Sequence, residues 1–252
     1  MKKTLIAILL LATHFINARG QATTDNNQQV IADFINNVKK QNKTALAEKV
    51  VFPLRRDAPI PPVKTKQEFL ERYNDIFDAA LTKLIIESQP DKDWKDMGWR
   101  GMMLDQGKVW LNGDGKLVAV NYESTIEKRK REALIAEDRK ELNKAVRNYQ
   151  RPVYVLETAK FRIRIDDMGK DNYRYSSWKI QSSKGDVPDL VIENGKVLHE
   201  GTGGNHRYQF KNDGYLYECD FTLLGVDNQT PAVLKIYKDG KTLLSQPATI
   251  IE

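Results

Sequence analysis

The chain has 252 residues, a formal net charge of +6 and one cysteine, Cys219. A single cysteine excludes an intrachain disulfide, and the length is enough to bury a core and to divide in two. The basicity does not point to nucleic acid: half of it sits in the leader, and the rest of the chain shows no basic face interleaved with aromatic residues.

Residues 1–22 place Lys2 and Lys3 before an apolar run from Leu5 to Ala12 and end in Gly20-Gln21-Ala22. This order is that of a bacterial secretory signal, with cleavage expected after Ala22. The run is too short for the roughly 20 residues of a membrane span. Losing Lys2, Lys3 and Arg19 with the leader lowers the formal charge from +6 to +3. With no cysteine beside the cleavage point, a lipid anchor is not expected. The expected location is periplasmic or secreted.

Beyond the leader, Val30, Ile31, Phe34, Ile35 and Val38 recur at three and four and predict a helix over 30–40. A short helix fits Thr44 to Lys49, and the passage Ala58-Pro59-Ile60-Pro61-Pro62-Val63 must lie extended. Thr65 and Glu68 form a capping box that opens one long helix over 65–88. Strands are predicted over 99–104, 108–111 and 116–122, separated by Asp105-Gln106-Gly107 and by Asn112 to Gly115. A charged helix over 125–149 follows, then strands over 152–156, 160–165 and 173–180. From 189 to 252, short strands around Asn194-Gly195, Asp213-Gly214 and Asp239-Gly240 read as a small all-β domain of sandwich type. Asp166-Asp167, just ahead of Met168-Gly169, is read as the start of a turn.

The order of helix, short helix, Phe52-Pro53-Leu54, a helix carrying Glu68-Phe69-Leu70, Tyr73 and Ile76-Phe77, and then Gly101-Met102-Met103-Leu104, Val109-Trp110-Leu111 and Lys116-Leu117 resembles the nuclear transport factor 2-like (SnoaL-like) family in its exported form. The resemblance implies an α+β fold in which a curved antiparallel sheet wraps a long helix as a cone. That domain would span 23–181, with strands over 153–180 completing the sheet. It also implies a concave mouth, lined by Arg55, Arg56, Tyr73, Trp99, Trp110, Tyr122, Tyr175 and Trp178. Trp99, Met103, Trp110 and Phe77 are expected in one core.

Sharper chemistry is missing from the sequence. Gly240-Lys241-Thr242 lacks the upstream glycine of a phosphate loop, and His199-Glu200 with His206 lacks the helical spacing of a zinc site. No Gly-x-Ser-x-Gly elbow is present. His199, His206 and Cys219 are read as structural, with His206 a solvated turn residue. No metal and no cofactor is expected. The reading is an exported non-catalytic binding or interaction protein whose partner is an envelope protein, a peptide or a small ligand, with a homodimer as one expected state. The alternative is a hydrolase or isomerase using the cone mouth.

Overall fold

The computed structural model describes residues 12–201, 204–222 and 230–251, with side chains from Asn26 onward. Part of the expected leader lies outside the described residues; the backbone from Ala12 to Lys39 is one helix, α1, so the expected cleavage point falls within it. No described helix is long and apolar enough to cross a membrane. The chain divides into two compact units: unit 1 runs up to Arg56 and from Pro62 to Lys128, and unit 2 takes Asp57–Pro61 and the chain from Arg129 onward, so one boundary falls inside a helix.

Unit 1 packs α1, α2 (Lys43–Glu48), α3 (Lys66–Ile76) and α4 (Ala79–Glu87) with an antiparallel sheet of four short strands. These are β1 (Trp94–Asp96), β2 (Met102–Leu104), β3 (Val109–Leu111) and β4 (Leu117–Val120), in sequential order. Period-2 alternation sends Met102, Leu104, Val109 and Leu111 inward, and a register shift in the β3–β4 pairing lets both Leu117 and Val120 of β4 join them, where they meet Phe34, Phe69, Ile76 and Leu81. The predicted capping box forms with one change: Thr65 Oγ1 accepts from Glu68 N at 3.2 Å, while the Glu68 carboxylate accepts from Lys64 N rather than from Thr65 N. The single helix expected over 65–88 breaks at Phe77, because the Asp78 carboxylate accepts from Leu81 N at 2.9 Å and starts α4 afresh.

The helix α5 (Thr125–Glu141) opens on Ser124, whose Oγ accepts from Glu127 N at 3.0 Å. It stops eight residues short of the expected end at 149. Asn143 takes over there: its side-chain oxygen accepts from Ala145 N and its amide donates to Gly185 O, which turns the chain. Leu142, Val146 and Tyr149 still bury their side chains, with Ile135 and Trp178.

Unit 2 is a closed antiparallel barrel of eight strands: β5 (Arg151–Glu157), β6 (Phe161–Gly169), β7 (Asn172–Lys179), β8 (Leu190–Glu200), β9 (Asn205–Asn212), β10 (Tyr215–Phe221), β11 (Ala232–Lys238) and β12 (Lys241–Ile250). Each strand pairs with its neighbour in sequence, and β12 returns to β5 through Thr249↔Glu157 and Ile250↔Leu156. Its interior is a packed core in which Ile163, Ile165, Tyr175, Phe210, Cys219, Phe221 and Leu234 are all almost fully buried. At the bulge in β8, Asn194 takes a left-handed φ of 64° and Gly195 lets the Phe210 ring cross the backbone; a Cβ on Gly195 would lie 2.1 Å from Phe210 Cε1.

This architecture overturns the cone. The strands over 151–179 pair into the barrel instead of completing a sheet with β1–β4, no long helix among the described residues lies in a wrapped sheet, and the expected C-terminal β-sandwich supplies five of the eight strands of a closed barrel. The resemblance to the nuclear transport factor 2-like, SnoaL-like family therefore fails on topology. Asp166 and Asp167 do not start a turn either: both lie in β6, paired with Arg174 and Tyr173, and the turn follows at Gly169-Lys170-Asp171.

Candidate functional site

The residues expected to line a cone mouth do not share one site. In unit 1, Arg55 is exposed, while Arg56 has a side chain only 4% exposed and serves as an internal clamp. Arg56 Nε donates to Glu127 Oε1 at 2.8 Å, Nη2 donates to Tyr122 O at 2.8 Å and to Glu127 Oε2, and Nη1 donates to Val120 O. A guanidinium so engaged has no fork left for a ligand. Tyr73 stacks on Phe77 at 4.7 Å in the core, and burial pushes its hydroxyl up to about 12. Tyr122 donates its hydroxyl to Asp78 Oδ2 at 2.9 Å; burial and that carboxylate raise its pKa.

Trp99 is 73% exposed, and Trp110 pairs with Met103 on the sheet face opposite the core that holds Phe77. The expectation of one core for those four residues is therefore wrong: alternation places Met102 and Leu104 inward and Met103 outward. In unit 2, Tyr175 is buried inside the barrel and Trp178 outside it, its indole N–H donating to Asp186 O at 2.9 Å. The two are three apart on β7, so they face opposite ways.

The outer face of the barrel carries a buried charge network. Asp166 is fully buried between Arg164 Nε and Arg174 Nη2, each at 2.7 Å. Burial pushes its carboxyl up, and the two guanidinium groups act against that rise. Arg164 Nη2 also lies 2.8 Å from Asp138 Oδ2, and Arg174 Nη1 donates to Asn148 O at 2.9 Å. Burial works against the charged form of Asp138, yet Arg164 and hydrogen bonds from Tyr149 and Lys184 outweigh it and hold its pKa below the usual value. These bonds fasten the end of α5 and the turns after it to the barrel wall, a structural task.

One end of the barrel interior is different in kind. Along β6 the inward positions run Ile163, Ile165, Asp167, so an acid takes the last inward place. Asp167 Oδ2 accepts from Arg151 Nε at 2.9 Å, and Asp167 Oδ1 accepts from Gly169 N at 2.7 Å. Its side chain is 11% exposed and that of Arg151 is 48% exposed. The two Nη groups of Arg151 have no hydrogen-bond or ion-pair partner among the described residues. Around this pair stand Tyr173, Tyr208 and Tyr154: the Tyr173 and Tyr208 rings are 4.8 Å apart edge to face, and Tyr154 stacks on Phe221 at 3.9 Å.

His206 closes the layer. Its ring lies flat on Phe221 at 5.0 Å, with Nδ1 2.8 Å from Gly204 O and Nε2 3.2 Å from the Tyr154 hydroxyl. At 9% exposure it is not the solvated turn residue expected from Gly203-Gly204, whereas His199 across the ladder is exposed. Burial raises the pKa of Tyr208 and Tyr173, and the Asp167 charge adds to both. Both phenols therefore stay protonated at neutral pH and work as hydrogen-bonding groups. Cys219, deeper in the barrel, is fully buried and burial pushes its thiol up, which makes it unreactive.

Asp167 was legible as an oddity, since it extends the alternation Ile163, Ile165 with a charge. Its partner was not, because Arg151 reaches it only through the β5–β6 pairing. Among the described residues no group of three or more His, Cys, Asp or Glu side chains is placed to hold a metal ion. Compared with known protein families, curated proteins and solved structures, the chain has no match.

Proposed function

We propose that this chain is an exported binding protein that recognises an oxyanion, a carboxylate above all, at the Arg151–Asp167 end of its barrel. The observation that carries the reading is the guanidinium of Arg151, half-exposed, oriented through Nε by Asp167 and with both Nη donors uncommitted among the described residues, beside tyrosine hydroxyls that remain protonated. A planar fork of N–H donors held in place by a carboxylate matches the two oxygens of a ligand carboxylate. Export rests on the basic, apolar and small-residue order of the leader.

The enzymatic alternative draws less support, because acid–base work needs a group poised near the working pH, and burial moves Tyr173, Tyr208 and Cys219 away from it. The test is calorimetric titration of the full chain with a short peptide bearing a free C-terminal carboxylate and with the same peptide amidated. The acid should bind, the amide should bind at least about fivefold more weakly, and Arg151→Ala should erase the difference, about 1 kcal/mol or more for a charge-assisted pair. Equal binding of acid and amide, or an Arg151→Ala variant that still prefers the acid, refutes the assignment.

A further inference from the structure

Unit 1 holds a cleft of about 490 Å³, independent of the barrel end, between the C-terminal part of α4 and the β2–β3 hairpin. Its volume lies in the range that takes a small organic ligand. Leu84 and Met103 give it an apolar wall, and ionisable side chains surround the opening.

The charges at the opening are not equivalent. Its three acids are each engaged: Glu87 lies 3.9 Å from Lys83 Nζ, Asp93 Oδ2 accepts from Gln89 N at 2.7 Å, and Asp105 Oδ2 accepts from Lys108 Nζ at 2.7 Å. Lys92 and Lys95, which also line the cleft, are exposed, and their ammonium groups have no ion-pair or hydrogen-bond partner among the described residues. The end of α4 is closed off as well, since Ser88 Oγ donates to Ile85 O at 2.7 Å and accepts from Trp94 Nε1 at 2.9 Å. With the partners Lys83 and Lys108 counted, the opening carries a formal net charge of +1, and its uncommitted charged groups are the two ammonium groups.

The hairpin side of the cleft is rigidly built. Asp105 and Gln106 hold left-handed φ angles of 45° and 56°, a conformation that costs non-glycine residues energy and persists only where neighbours impose it. Here Asn121 Nδ2 donates to Gly107 O at 2.9 Å and the Trp110 indole lies so close over Gly107 that a Cβ there would come within 2.8 Å of Nε1.

We infer that this cleft binds an amphiphilic organic anion, its apolar stem against Leu84 and Met103 and its carboxylate or phosphate between Lys92 and Lys95. The test is titration of the full chain with octanoate, octyl phosphate, octylamine and octyl glucoside, followed by calorimetry at low salt. Octanoate, octyl phosphate or both should bind, with octylamine and octyl glucoside weaker by roughly fivefold or more, and the preference should shrink as salt screens the exposed ammonium groups. The Lys92→Ala/Lys95→Ala variant should lose that preference, while Lys39→Ala, on α1 and outside the cleft, should keep it. Tight binding by one anion alone identifies the headgroup. Failure of both anions to bind at millimolar concentration, equal binding of octylamine, or an unchanged preference in the double variant overturns the inference.

Discussion

Removing the guanidinium of Arg56 should be among the most damaging single substitutions in unit 1. The pair is almost dry, with side chains 4% exposed on Arg56 and 1% on Glu127. It joins the chain before the proline-rich passage to the end of β4, through the carbonyls of Val120 and Tyr122, and to the first turn of α5. Arg56→Ala leaves the Glu127 carboxylate buried without its counter-charge and two carbonyls without their donor. Breaking such a pair costs about 3–5 kcal/mol. Arg56→Met combined with Glu127→Leu removes both charges and keeps the volume, so only the carbonyls lose a partner, at about 1 kcal/mol each. The double variant should then be more stable than Arg56→Met or Glu127→Leu alone, with a coupling of about 2 kcal/mol or more. Urea unfolding followed by tryptophan fluorescence, to which Trp94, Trp99 and Trp110 of this unit contribute, measures all four corners of the cycle. A cost below about 1 kcal/mol for Arg56→Ala, or single-variant costs that simply add, would refute the clamp.

Gly195→Ala places a methyl group against the Phe210 ring and should lower stability by about 1–3 kcal/mol; Phe210→Leu in the same chain should recover part of the loss in a thermal melt. Asp138 has a folded-state pKa below its unfolded value, so its contribution is complete above about pH 4 and is lost as the pH falls through the lower folded value. Asp138→Asn should therefore be less stable than the parent at pH 7, and the gap should close in acid unfolding below about pH 4; a gap that stays constant with pH counts against the assignment. Cys219 should resist a thiol reagent in the native protein and react only at the rate of unfolding, whereas rapid labelling under native conditions would show the barrel interior to be open.

Local patterns determined much of the secondary structure. Thr65 with Glu68 announced the start of α3, and Asp213-Gly214 and Asp239-Gly240 marked the hairpins that join β9 to β10 and β11 to β12. The alternating runs over 152–180 were strands, as read. Those signals act over a few residues, and the backbone obeys them wherever the segment lies in the fold. What a period of two cannot say is which strand lies alongside, or which of its two faces is the core. For that reason the sequence puts Met103 and Trp110 inside when they lie outside, and suggests a turn at Asp166 and Asp167 although they sit on opposite faces of β6. The barrel itself depends on Ile250 pairing with Leu156, and the clamp in unit 1 on Arg56 meeting Glu127. Neither contact leaves a mark near either residue in the chain, because each exists only once packing has brought distant segments together. The candidate site follows a milder form of the same rule: Arg151 and Asp167 are unremarkable charges in sequence, and only the register of the β5–β6 pairing sets them side by side and turns one into an oriented donor and the other into its support.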